Sequence, residues 1–93
     1  ITDGRFSGSN NGCFVGHISP EASEGGPIAV VQDGDSILID VEGGKLELNI
    51  PPEELKARLD AFTPPPRPRL SGWLNVYARL SESADKGAII RNR

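Results

Sequence analysis

The sequence predicts a small α+β domain, mainly β, and three features carry that expectation. Eleven glycines and eight prolines in 93 residues are more than a helical bundle accommodates, and they point to turns and short strands. Two alternating apolar runs meet at a glycine pair, the pattern of a β-hairpin. A proline–acid start followed by leucines four residues apart predicts a helix. With 37% hydrophobic residues, the chain makes one domain, residues 1–93. Its core is marginal, because a chain this short buries only about 60–65% of the surface its unfolded form exposes.

Taken in order, Gly4, Gly8, Gly12 and Gly16 rule out a stable helix at the start, at about 1 kcal/mol each relative to alanine. Phe14, Val15 and Ile18, closed by Pro20, predict a short strand leaving that glycine-rich loop. After the turn Asp33-Gly34-Asp35, the run 36–41 alternates, with Ile37, Ile39 and Val41 on the inner face. Glu42-Gly43-Gly44 reverses the chain, and the run 45–50 follows with Leu46, Leu48 and Ile50 inward. Pro51-Pro52-Glu53-Glu54 opens a helix whose acids suit the positive end of its dipole. Leu55, Leu59 and Phe62 form its apolar stripe, with Lys56, Arg58 and Asp60 outside. The prolines of 63–68 force an extended run. Trp73, Val76, Tyr77 and Leu80 then predict a second short helix, and Ala88-Ile89-Ile90 a last strand or a frayed end.

Ten basic residues against thirteen acidic ones leave a net charge of −3, which argues against a nucleic-acid partner. No run of eighteen apolar residues exists, so no membrane span is expected. Cys13 is the single thiol. It excludes an internal disulfide or a self-contained zinc or iron–sulfur site, and it suits a reducing, cytosol-type compartment. The start, Ile1-Thr2-Asp3-Gly4-Arg5, has neither methionine nor a charged-then-apolar leader and reads as a section of a longer chain.

The first candidate site is Thr2-Asp3-Gly4-Arg5-Phe6-Ser7-Gly8. A serine beside glycine at a turn can stand exposed, with backbone N–H groups free to hold an anion, or it can be an ordinary loop hydroxyl. The hydrolase elbow Gly-x-Ser-x-Gly is absent, since Arg5 stands two residues before Ser7. His17, the only histidine, can be a partner for Ser7 or a hydrogen-bonded structural group. Glu21 and Glu24 beside the Gly25-Gly26-Pro27 turn can be a ligand pair or solvated loop acids, and Cys13 can be a small buried side chain. Asp33, Asp35 and Asp40 lack the spacing of a calcium loop.

Longer strings add to this. Thr2 to Gly8 is followed by Gly16-His17-Ile18-Ser19-Pro20-Glu21-Ala22, by Gly25-Gly26-Pro27-Ile28-Ala29 and by Asp33-Gly34-Asp35. Tyr77-Ala78-Arg79-Leu80 and Ala84-Asp85-Lys86-Gly87-Ala88 complete the order. Across essentially the whole chain this resembles the C-terminal portion of the dihydroxy-acid dehydratase family, which also includes the sugar-acid dehydratases. Phe6 favours the branched-chain branch, because the sugar-acid relatives tend to carry methionine there.

The resemblance implies part of a swivelling β/β/α barrel-like domain and a hydro-lyase of branched-chain amino-acid biosynthesis. Such an enzyme takes a small-molecule 2,3-dihydroxy acid to a 2-keto acid, with an iron–sulfur cluster as Lewis acid and Mg2+ anchoring the carboxylate and C2 oxygen. The serine matching Ser7 is the base, acting as an alkoxide, and Arg5, Gly8 and Ser9 line the substrate. Ser9-Asn10-Asn11 departs from the glycine–threonine pattern common after that serine. The cluster cysteines and most magnesium ligands of the family lie in a long N-terminal part, and Cys13 does not match one. The 93 residues are therefore expected to hold no metal and to be inactive alone. Their expected partners are that N-terminal part and, at full length, a second copy. The expected location is cytoplasmic, or organellar in a eukaryote. The alternatives are a sugar-acid (aldonate or phosphogluconate) dehydratase and a non-catalytic β-rich binding module of the same fold.

Overall fold

A computed structural model describes residues 1–8 and 11–91. Strands β1 (Ile37–Asp40) and β2 (Lys45–Leu48) form an antiparallel hairpin, and two helices follow, α1 (Pro52–Ala61) and α2 (Gly72–Leu80). Single 3-10 turns lie at Ala22–Glu24, Pro27–Val30 and Ala84–Lys86. The class is α+β, but the expected excess of β is reversed among the described residues. The helices span ten and nine residues and the strands four each.

The hairpin register pairs Ile37 with Leu48 and Ile39 with Leu46, so alternation did place these four on one face. Val41 departs from the expectation. It lies in the reversal rather than the strand, 82% exposed. The reason is local: Asp40 Oδ1 accepts the Gly43 amide at 2.8 Å, and this bond ends the strand one residue early. The strand expected from Phe14 to Ile18 does not form either. Three separate backbone bonds hold that segment to residues 2–4 instead.

Helix α1 begins where the prolines place it, with Pro51 as N-cap and Glu53 and Glu54 in the first turn. Leu55, Leu59 and Phe62 are half-buried, and α1 packs on the 3-10 turn at Pro27–Val30. Arg58, expected outside, turns inward. It donates to the Val30 carbonyl at 3.2 Å and to Asp35 at 2.6 and 3.2 Å. Val30, 8% exposed, is the one buried apolar side chain among the described residues. Gly26 beside it is also buried, because a side chain there would collide with the Pro20 carbonyl.

The proline run 63–68 is irregular, as its composition requires. Helix α2 forms, yet Trp73 and Leu74 are 69% and 63% exposed. Residues 81 and 90 meet in a single antiparallel bridge, which is all that the last apolar trio builds. The radius of gyration is 15.4 Å, against about 12 Å for a compact chain of this length. The small core sits where α1 packs on the Pro27–Val30 turn. One face of the hairpin borders a hollow beside that turn, and α2 lies outside the core. No helix among the described residues is long and apolar enough to cross a membrane.

Candidate functional site

The glycine-rich start folds as a loop with a closed neck. Thr2 N–H donates to the Val15 carbonyl at 3.0 Å, Ile18 N–H to Thr2 at 3.2 Å and His17 N–H to Gly4 at 3.0 Å. Thr2 Oγ1 accepts the Gly4 amide at 3.0 Å, turning the chain outward just before Arg5. Phe6 and Phe14 meet across the loop with ring centroids 5.3 Å apart and planes tilted by 58°. Ser7 sits at the exposed end, and Gly8 follows at φ 91, a conformation that a side chain would strain.

Arg5 and Ser7 are both exposed, and neither has a hydrogen-bond or ion-pair partner among the described residues. A cation, a hydroxyl and a glycine amide thus follow one another on a protruding loop, a set that can hold an acidic ligand and take a proton from it. Ser9 lies outside the described residues.

His17 does not join Ser7. Its backbone adopts φ 52, and its imidazole is exposed with no hydrogen-bond partner among the described residues. It borders a hollow of about 360 Å³ lined by Val15, Ile18, Ile37 and Leu48, so its part is in the neck's backbone. Cys13, weighed as a small buried side chain, is exposed.

Asp3 is the residue that pattern reading passed over. Its Oδ2 accepts the Ala22 amide at 2.8 Å and pins the neck to the 3-10 turn at Ala22–Glu24. Nothing in the sequence spacing marks a nineteen-residue contact of this kind. Glu21, next to that turn, accepts the Ser83 hydroxyl at 2.6 Å, which holds its carboxyl below the usual range. Ser83 also meets Ser19 Oγ at 2.9 Å, and this hydroxyl pair holds the Asp85 carboxyl below its usual range. These groups border a wider cleft of about 880 Å³. Glu24 pairs with Arg67 at 3.4 Å, so Glu21 and Glu24 do not act as a ligand pair.

Among the described residues, no three side chains of histidine, cysteine, aspartate or glutamate converge in a way that could hold a metal. With one thiol in the sequence, Cys13, this domain's own residues do not fit an iron–sulfur cluster, which needs several thiolates.

The family described as Dihydroxy-acid/6-phosphogluconate dehydratase C-terminal matches residues 1–88. The chain belongs to this family. It is 54% identical over 90 residues to a dihydroxy-acid dehydratase of Sulfurisphaera tokodaii, covering 97% of the chain and 16% of that relative. One from Acetivibrio thermocellus is 52% identical over 93 residues, covering 100% and 17%. One from Hydrogenobaculum sp. is 56% identical over 90 residues, covering 97% and 16%. The chain therefore spans about one-sixth of the length of these relatives, and it corresponds to their family's C-terminal domain.

Proposed function

We propose that this domain supplies the proton-accepting loop of a dihydroxy-acid dehydratase that serves branched-chain amino-acid biosynthesis in the cytoplasm. The observation that carries the reading is the identity of 52–56% to relatives of that name over nearly the whole chain. The presentation of Ser7 on an exposed, neck-closed loop supports the same reading. The swivelling β/β/α barrel belongs to this proposal as well, with the hairpin as one of its edges.

In the reaction, C2 of a 2,3-dihydroxy acid gives up its proton and C3 gives up hydroxide. Together they make water, and the resulting enol tautomerises to a 2-keto acid. Ser7 Oγ takes the C2 proton. A serine hydroxyl is far too weak an acid to act as alkoxide at neutral pH unless nearby positive charge and fixed N–H dipoles stabilise it. Arg5, exposed and unpaired among the described residues, and the Gly8 amide are this domain's groups for that task and for the substrate's carboxylate. The absence of a side chain at Gly8 lets the substrate approach the backbone. The iron–sulfur cluster and Mg2+ that the family resemblance implies would supply Lewis acidity, the cluster from thiolates elsewhere in the polypeptide, since Cys13 is the one thiol here.

The test is Ser7→Ala in the full-length enzyme with its cofactors. Turnover should fall by about 10²–10⁴, the usual range for removal of a positioned base. Exchange of the C2 hydrogen with solvent should fall with it. A variant that keeps parental turnover overturns the reading.

A further inference from the structure

We infer that Asp3 is a positioning residue for the Ser7 loop, acting through the amide of Ala22; this rests on Ser7 as the base. Beyond the neck, residues 5–8 and 11–14 make no hydrogen bond among the described residues. The Phe6–Phe14 contact is internal to the loop. Where Ser7 stands relative to the domain is therefore decided at the neck, residues 2–4 and 15–18. Three of the bonds of residues 2–4 are backbone bonds to residues 15–18, the other limb of the same loop. They close the neck, whose other limb borders the hollow through Val15 and Ile18. Asp3 is the side chain that reaches out of the loop, from Oδ2 to the Ala22 amide at 2.8 Å.

The recipient of that bond is an amide that needs a partner. Ala22 opens a 3-10 turn, and an amide at that position has no partner inside the turn. Its N-cap residue, Glu21, makes no side-chain cap, because its carboxylate is engaged with Ser83. Asp3 supplies an acceptor for that amide from nineteen residues away. The turn is in turn fixed by the Ser83–Glu21 bond and by the Gly25 and Gly26 amides. Ser7 is thus referenced to the body of the domain through Asp3, four residues before it in the chain.

A base works only within hydrogen-bond reach of its proton, and a misplacement of about 1 Å can cost about 10²-fold in rate. Loss of Asp3 should therefore lower kcat and leave KM largely alone, because the carboxylate touches an amide and not the substrate. An asparagine keeps the acceptor oxygen and should restore function. Proline at position 22 removes the donor while leaving Asp3 intact. The backbone accepts it, since it would open the turn and Glu21 before it is extended at φ −66 and ψ 159. Its ring carbon, in place of the amide hydrogen, also pushes the Asp3 carboxylate away.

The experiment compares Asp3→Ala, Asp3→Asn, Ala22→Pro and Ser7→Ala in the full-length enzyme with a branched 2,3-dihydroxy acid. It reads kcat, KM, C2-hydrogen exchange and amide exchange of peptides covering residues 1–8 and 13–24. We expect kcat to fall about 10- to 100-fold in Asp3→Ala and Ala22→Pro, with KM within about threefold. Both variants should show faster amide exchange in the neck, and Asp3→Asn should come within about threefold of the parent. Parental kcat in Asp3→Ala while Ser7→Ala is inactive overturns the positioning role and leaves the base in place. Equal loss in Asp3→Asn and Asp3→Ala also overturns it, because the charge rather than the acceptor would then matter. If Asp3→Ala does not fold, Ala22→Pro decides: parental kcat overturns the inference. Parental turnover in Ser7→Ala removes the base reading itself, and the positioning role with it.

Discussion

Arg58 and Asp35 meet in a two-point ion pair, Nη1 to Oδ2 at 2.6 Å and Nη2 to Oδ1 at 3.2 Å. The guanidinium also reaches the Val30 carbonyl and Glu54 at 2.7 Å, so one side chain joins α1, the Asp33–Asp35 turn and the small core. The side chains are 15% and 11% exposed. The Arg58 bond holds the Asp35 carboxyl below its usual range, and Asp35 with Glu54 raises the guanidinium further. A lysine keeps the charge but loses the planar fork. Arg58→Lys should lower the melting temperature of the full-length protein by several degrees, and Arg58→Ala by more. Calorimetry of both variants checks this; a lysine variant as stable as the parent would remove the two-point geometry as the cause.

A second prediction concerns acid. Ser83 holds the Glu21 carboxyl below its ordinary value of 4.5, so the unfolded state binds the proton more readily. Stability from this bond is therefore present above the unfolded value and is lost as pH falls through the folded one. Asp85 shifts in the same direction beside the Ser83 and Ser19 hydroxyls. Ser83→Ala should lower the melting temperature at pH 7, and the gap from the parent should narrow as pH falls below the ordinary carboxylate values of 4.5 and 3.8. A gap that is constant with pH would assign the loss to packing.

The hairpin register supports a third. Ile37 is paired with Leu48 and faces the hollow shared with Val15 and Ile18. Ile37→Asp places a carboxylate among apolar groups and should leave the protein insoluble or unfolded. Asp40→Asn keeps an oxygen for the Gly43 amide and should stay within about 0.5 kcal/mol of the parent. Solubility and a denaturant titration of the pair check the register, and equal damage from both would refute it.

Alternation and proline placement made the hairpin and α1 legible, because strand faces and helix starts are local properties. The spacing of Trp73 and Tyr77 gave α2, but not that its apolar face stays open. What escaped the sequence was set by long-range polar bonds. Arg58 reads as a surface cation on the helical pattern, yet Asp35 and the Val30 carbonyl draw it inward. The apolar trio Phe14, Val15 and Ile18 reads as a strand, yet among the described residues Val15 and Ile18 find their backbone partner in Thr2 rather than in a sheet. The position of Ser7 came from motif order, whereas its anchor at Asp3 depends on a contact that no period encodes.

A fourth prediction follows from the donor set. Cys13 is the only thiol, and an iron–sulfur cluster needs several thiolates. The 93-residue polypeptide, reconstituted with iron, sulfide and magnesium, should form no 2-keto acid from a branched 2,3-dihydroxy acid. Turnover above background would mean that the domain carries the whole reaction.

The last prediction separates Ser7 from its rival. His17 sits at φ 52, so alanine there would strain the neck and confound loss of the imidazole with loss of the loop. Asparagine tolerates the left-handed region better than most residues and removes the ring. If the imidazole has no part in proton transfer, His17→Asn should keep the neck bond from its amide to the Gly4 carbonyl and hold kcat within about threefold, below the usual effect of losing a base. Its C2-hydrogen exchange should match the parent. His17→Gly, free of backbone strain at that φ, serves as the second arm. If both variants lose turnover by more than about 10² while Ser7→Ala retains it, the proton acceptor is His17. A loss confined to His17→Asn, with His17→Gly near the parent, would assign the effect to the neck's backbone and leave Ser7 as the base.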